Sequence, residues 1–397
     1  MSSPPRVLLL NNSIQNYAWG RFDGIAEAIG TEVTGSREAE LWVGAHHRNP
    51  SVVAEGVYSG RRLDEVIGED PQRWLGPTAD STATLPFLLK VLAIGEPLSL
   101  QAHPTRAQAE AGFAREESQG IALDAAQRTY QDRSDKPEIL VALETTYALC
   151  GFRKPDQAAA LLGQLGTATE DLVALLETDS DPLRSAMAWL LSCDDKRASA
   201  LWEAVVGFGG FSEDLDDPFS WVHHLSVLYS GDPTVVAPLL LQLVRLEAGE
   251  SVHLPAGNLH AYLSGSGVEL MAASDNVLRG GLTPKHIDRD ELLKIVSFEP
   301  GIPPPPQQSQ IEGFRVYDAG EQAFSLAVFS PGPNGTQVRA TEPSVLLATG
   351  EPAVVSLGAD QLTIGVGQAL FVAPDEQVVV LTGGAVWWAT SGSGLPS

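Results

Sequence analysis

Between residues 154 and 244 the chain stops reading as strands and reads as helix, and then reverts. DQAAALLGQLG, TEDLVALLE, DPLRSAMAWLLS and DKRASALWEAVVGFG carry Leu, Ala and Val at helical spacing. Several of their starts hold Asp, Ser or Thr where a cap is needed. The flanking segments alternate apolar and polar residues as half-buried strands do. A helical block that interrupts a β region forces that region to assemble from two separated pieces. The expected division is one β unit from residues 1–153 and 245–298, a helical insertion at 154–244, and a second β unit at 309–397. Glu299 to Gln308, EPGIPPPPQQ, is a proline-rich linker before that last unit.

Charge narrows the function classes. Lys and Arg total 25 against 50 Asp and Glu, a formal net charge of −25 over 397 residues. Such a surface repels nucleic acid and anionic membranes, so neither is an expected partner, and an anionic substrate needs a local cluster of cations. The two cysteines, Cys150 and Cys193, have no CxxC spacing. That fits a reduced, cytoplasmic compartment. The opening MSSPPRVLLLNNS is too short for an export signal, and no apolar run reaches membrane-spanning length.

Three segments carry residues suited to chemistry. In LPFLLKVLAIGEPLSLQAHP, two strands flank a Gly95-Glu96-Pro97 turn, and Ser99, Gln101 and His103 share one face of the second. Pro104 then opens a helix over Thr105 to Glu117. In SDKPEILVALETTYALCGF, Lys136 and Glu138 share a face. The third runs from Leu246 to Lys285. It reads as a hairpin around Pro255-Ala256-Gly257-Asn258, with His260 and Tyr262 on one face. A short strand at Val268–Met271 carries Glu269, and a polar loop holds Asp275 and Arg279. Upstream, Tyr17 and Trp19 either line a sugar site or are core aromatics.

Of the eight histidines, His223 and His224 are helix neighbours about 100° apart and cannot comfortably share an ion. Only one of His46 and His47 can face a cavity, and His46 is the better candidate for a substrate contact. Nothing but proximity to the turn supports His253. Gln101, His103, Glu138 and His260 form the strongest ligand set, and two neutral imidazoles with a carboxylate suit Zn²⁺ with open positions. Mn²⁺, Co²⁺ or Fe²⁺ fit the same donors. The alternative is a hydrogen-bonded polar barrel interior. Lys90, Lys136, Arg279 and Lys285 lie in or beside these strands, where a phosphate-bearing substrate would need them. A weak repeat relates Gly249–Pro255 to Gly367–Pro374, with nothing in the second copy matching His260.

Taken together these segments resemble the type I phosphomannose isomerase family. The carrying motifs are Asn16-Tyr17-Ala18-Trp19-Gly20, ELWVGAH ending at His46, LSLQAHP ending at Pro104, Asp135-Lys136-Pro137-Glu138, LPAGNLHAY ending at Tyr262, and SDNVLRGGLTPK ending at Lys285. The resemblance implies a mainly β fold, a cupin-type jelly-roll sandwich with an α-helical insertion and a second C-terminal β domain. It also implies one Zn²⁺ per chain on Gln101, His103, Glu138 and His260, other divalent metals being alternatives. The implied reaction is interconversion of mannose 6-phosphate and fructose 6-phosphate through a cis-enediol, feeding mannose and GDP-mannose metabolism. The family's arginine corresponds to Arg279. The chain departs from the pattern at His47, where many relatives have Pro, at Asp135, where bacterial relatives often have His, and at Leu282, where Phe is common.

Such an isomerase needs charge stabilisation for an enediolate, assigned to Arg279, and a proton carrier. Lys285 and Glu269 are the leading carriers, with Asp275 and His46 also chemically able. Ser99, Lys90, Lys136, Tyr262, Asp275, His46 and Trp19 are expected to contact the sugar phosphate. A monomer is expected. The competing readings are another cupin metalloenzyme, such as an Fe-dependent oxygenase, and a non-catalytic sugar-binding cupin.

Overall fold

The computed structural model describes residues 6–79, 83–392, 394 and 395. The first five residues of the segment read for an export signal lie outside that range. The fold is mainly antiparallel β, as expected. Among the described residues no helix is long and apolar enough to cross a membrane.

The site is built on a ten-stranded sheet whose centre is the thirteen-residue strand His260–Ala272. Its first part pairs with Leu100–Ala102 and Thr146–Phe152, its second part with Phe87–Ile94 and Glu138–Ala142. Two expectations change here. The short strand expected at Val268–Met271 is the continuation of the strand that starts at His260. The hairpin around residues 255–258 does not form, because Ser251–Leu254 pairs with Glu138–Ala142 instead. The Pro255–Asn258 turn is a crossover tied down on both sides. Gly257 N–H donates to the His103 carbonyl at 2.7 Å, and Ser297 N–H donates to the Gly257 carbonyl.

The long strand does not keep one alternation. Ala261 and Leu263 pack into the helical core, whereas Val268 and Leu270 pack into the core under the other half of the sheet. His260 and Tyr262 therefore face the interior from even positions, and Glu269 and Met271 face it from odd ones. The slip lies where the pairing with Tyr147–Ala148 shifts register, beside Gly265 at φ 109°. A Cβ at Gly265 would collide with Thr146, so only glycine makes this turn of the strand.

Helices occupy most of the chain between Pro155 and Leu240 and bury Leu162, Leu172, Met187, Leu201 and Val222 against Leu149, Phe152 and Leu263. At the other end, ten strands between Gln307 and Thr390, joined by Val7–Asn11 and Val52–Val53, form an eight- and a four-stranded sheet. Val7–Asn11 hydrogen-bonds into the larger of these, against Ala369–Val372, not into the site's sheet. Phe371, Leu347 and Trp387 from that sheet pack on Val91, Ile139, Val268 and Leu270. Burying both faces of the central strands leaves little freedom for the polar residues between them.

Candidate metal centre and active-site cavity

Register brings the site together. Gln101 pairs with His260 on one side and Arg279 on the other, so all three side chains leave one face of the sheet. Glu138 enters from the neighbouring strand, opposite Met271. His103 follows the short Leu100–Ala102 strand, just before the Thr105 capping box that starts helix Arg106–Ser118.

His103, Glu138 and His260 are buried, and their ligand atoms lie within 4.8 Å of one another. His103 Nε2 is 3.4 Å from Glu138 Oε1, and His260 Nε2 is 3.6 Å from Oε2. Among the described residues, His103 Nε2, His260 Nε2 and Glu138 Oε2 have no hydrogen-bond partner. Three converging buried polar atoms without partners would be costly unless something satisfies them. The opposite edge of each imidazole is occupied. His103 Nδ1 faces the Asn276 carbonyl at 2.7 Å, and His260 Nδ1 faces the Asn258 carbonyl at 3.0 Å. With the protons on Nδ1, both Nε2 lone pairs point into the gap, the arrangement a metal requires. Burial works to raise the Glu138 carboxyl, but Lys136 Nζ at 3.0 Å and the imidazoles hold it well below the usual range. Burial, helped by His103, lowers the His260 imidazole to about 4. An anionic carboxylate and neutral imidazoles are the ligand forms zinc takes. The donors thus fit the ion, and Gln101 is the strand partner of His260.

Next to this centre lies a cavity of about 380 Å³ walled by Lys90, Lys136, Arg279, Asp275, His46 and Tyr17, among others. A second cavity adjoins it through Arg279, Arg128, Thr129 and Val277, and is walled by Lys285 and His286. Behind the first wall, Glu269 Oε2 sits 3.2 Å from Lys90 Nζ, with Glu40 at 3.7 Å and Trp42 beneath the ammonium at 5.1 Å. Trp42, Lys90 and Glu269 are cross-strand neighbours in one row. Burial pushes the Glu269 carboxyl up to about 7 against the pull of Lys90. Burial also opposes the Lys90 charge, yet Glu40 and Glu269 hold that group above the ordinary lysine value. Arg279 is lowered by burial, and Lys285 by burial and then by Arg279.

Several expected contacts stand elsewhere. Lys90, Lys136, His46 and Asp275 are on the main cavity wall, but Ser99, Tyr262 and Trp19 are not. Trp19 packs against a buried apolar cluster while its neighbour Tyr17 takes the wall. Tyr262 is buried, and its pKa is raised by burial and the nearby carboxylates of Glu269 and Glu138. Ser99 precedes the short strand and lines neither cavity. Lys285 is in the adjoining cavity with Arg279, apart from Glu269. His253 is 2.8 Å from Glu321 and takes no part. Asp132, Asn276 and Trp42 went unnoticed in the sequence. The first two are loop residues with no motif of their own, and Trp42 lies within the ELWVGAH segment but has no chemistry that singles it out.

Fold and site together define a metalloenzyme on antiparallel sheets, with a His₂Glu centre beside a cation-walled cavity. Residues 7–155 match the family described as phosphomannose isomerase type I, catalytic domain. Over 385 residues the chain is 35% identical to mannose-6-phosphate isomerase of Escherichia coli (strain K12), covering 94% of this chain and 96% of that one. It is 29% identical over 412 residues to mannose-6-phosphate isomerase of Homo sapiens, covering 94% and 95%. A zinc-bound mannose 6-phosphate isomerase crystal structure matches with a TM-score of 0.89 at 30% identity, covering 97% and 99%. The chain belongs to the type I phosphomannose isomerase family, and its metal centre is a zinc site.

Proposed function

We propose that this chain interconverts mannose 6-phosphate and fructose 6-phosphate. The observation that carries the reading is the buried, unpartnered His103–Glu138–His260 donor set beside a cavity walled by Lys90, Lys136 and Arg279. Zinc, when bound there with Gln101, supplies Lewis-acid polarisation of sugar oxygens. The residues do the rest. Arg279 stands where the two cavities meet and counters charge developing on an enediolate. Lys285, beyond it, takes the phosphate with Arg279. The Glu269–Lys90 pair handles the proton that moves between C1 and C2, because Lys90 on the cavity wall is 3.2 Å from Glu269 and burial raises the Glu269 carboxyl to about 7. Lys136 holds Glu138 ionised, and His46 and Asp275 meet sugar hydroxyls at the rim.

The oxygenase and the non-catalytic reading are not favoured. Neither needs a cavity walled by lysine and arginine. The division into a discontinuous β unit (1–153 and 245–298), a helical insertion (154–244) and a C-terminal β unit (309–397) belongs to the same proposal, with Val7–Asn11 and Val52–Val53 given over to the sheet of the C-terminal unit. So do a monomeric state, a cytoplasmic location and the absence of a nucleic-acid partner, which the net charge of −25 supports. The test is a coupled assay of fructose 6-phosphate formation from mannose 6-phosphate, before and after zinc is stripped and restored. Zinc-restorable turnover is expected, and a zinc-loaded protein with no turnover would refute the reading.

A further inference from the structure

The geometry points to a second divalent-cation site at the rim of the cavity, held by His46, His47 and Asp275. One ligand atom from each lies within 4.8 Å of the others. His46 Nε2 is 3.5 Å from Asp275 Oδ1, and His47 Nε2 is 3.6 Å from Asp275 Oδ2. The two rings stack at 4.7 Å and 28°, so both present an edge to the same carboxylate. These spacings are too long for hydrogen bonds. They are close to the roughly 3.3 Å that separates ligand atoms in a tetrahedral zinc site with bonds of about 2.0–2.1 Å.

Each ligand is available. His46 Nδ1 accepts a long hydrogen bond from the Arg48 backbone N–H at 3.4 Å, which is given up when the proton moves to Nδ1 and Nε2 turns to an ion. The Asp275 N–H is anchored at 2.7 Å on Asp132 Oδ2, which holds the aspartate in place. The His47 side chain is 72% exposed and has no other role. Arg48 Nε lies 3.2 Å from Asp275 Oδ2 but is half exposed and can swing into solvent. Its competition makes this site weaker than the buried one. Two imidazoles and one carboxylate select zinc or a similar transition metal over Mg²⁺ or Ca²⁺. Because His46 and Asp275 wall the substrate cavity, an ion held there stands in the path of an entering sugar.

The full-length protein loaded with one zinc per chain is titrated with further Zn²⁺ by calorimetry, and bound metal is counted by elemental analysis. A second equivalent is expected in the wild type. His47→Ala should lose it, or bind it at least roughly tenfold more weakly, while keeping the first. His253→Ala, a control outside the cluster, should keep both. Uptake of one equivalent only by the wild type, a second equivalent that survives in His47→Ala, or one lost in His253→Ala would each overturn the site. The result is independent of whether the protein turns over mannose 6-phosphate.

Discussion

His103 donates from Nδ1 to the main-chain carbonyl of Asn276 at 2.7 Å, across 173 residues of sequence. That bond sets which nitrogen of a metal ligand is free. Asn276 is itself locked. Its side-chain N–H groups donate to Asp132 Oδ1 and the carbonyls of Asp132 and Ser134, and its Oδ1 accepts from Gln131 N–H. The Asp132 carboxylate also accepts from Ser274 Oγ and Asp275 N–H. Asp132 therefore organises the loop that aims His103.

Asp132→Ala should weaken zinc binding roughly 10–100-fold, the usual cost of losing an outer-shell partner. Competition with a chelator measures it. The thermal midpoint of the metal-free protein separates aiming from general stability. Unchanged zinc affinity with a lowered midpoint would mean that the loop is only structural.

His260→Ala should lose stoichiometric zinc and turnover and remain folded by circular dichroism. Removing a ligand outright costs more than removing its support, so at least about 10²-fold in zinc affinity is expected. Full zinc content with normal activity would disprove the ligand assignment.

Arg279→Ala should lower kcat on the order of 10²–10³-fold, the range for one lost donor to a developing oxyanion, and leave zinc content unchanged. Unchanged kcat with a raised KM would restrict Arg279 to holding the phosphate.

The Glu269 carboxyl must be ionised to accept a proton, so kcat/KM should rise with pH through about 7. Replacing Lys90 by Met removes the cation that favours the ionised form and should move this limb to higher pH. Stability runs the other way. The folded-state pKa lies above the unfolded value, so the Glu269 contribution is full below the unfolded pKa of about 4.5 and fades as pH rises through about 7. Glu269→Gln should accordingly stabilise the protein more at pH 8 than at pH 5, as denaturant titration at both values would show. An acid limb that stays put in the Lys90 variant would count against the pair.

Gly265→Ala should destabilise the fold by roughly 2–4 kcal/mol, because φ 109° and the collision with Thr146 both oppose a Cβ. Urea denaturation measures the loss. A cost below about 0.5 kcal/mol would mean that the strand turns there for another reason.

The sequence alone marked out the β texture, the helical interruption, the converging His103, Glu138 and His260, and most of the cations, because each rests on residue type and local spacing. It misjudged what depends on pairing. A hairpin was the natural reading of Ser251 to His260, since a turn between two alternating runs looks the same whether the runs pair with each other or with a third strand. Trp19 and Tyr262 looked like sugar contacts because aromatic type does not say which face is buried. The roles of Asp132 and Asn276 were not legible because their side chains bond groups far away in sequence.

Residue identity thus determined what chemistry the chain can do. Two imidazoles, a carboxylate and an arginine in an acidic chain leave few uses. Tertiary structure decided which of those groups meet. The even-to-odd slip at Gly265 sets His260 and Glu269 on one face, where strict alternation would have put them on opposite faces. Register across Gln101 put His260 and Arg279 on one face, on either side of it. Neither is a property of any short window, because strand pairing is chosen by burying both faces of the sheet at once.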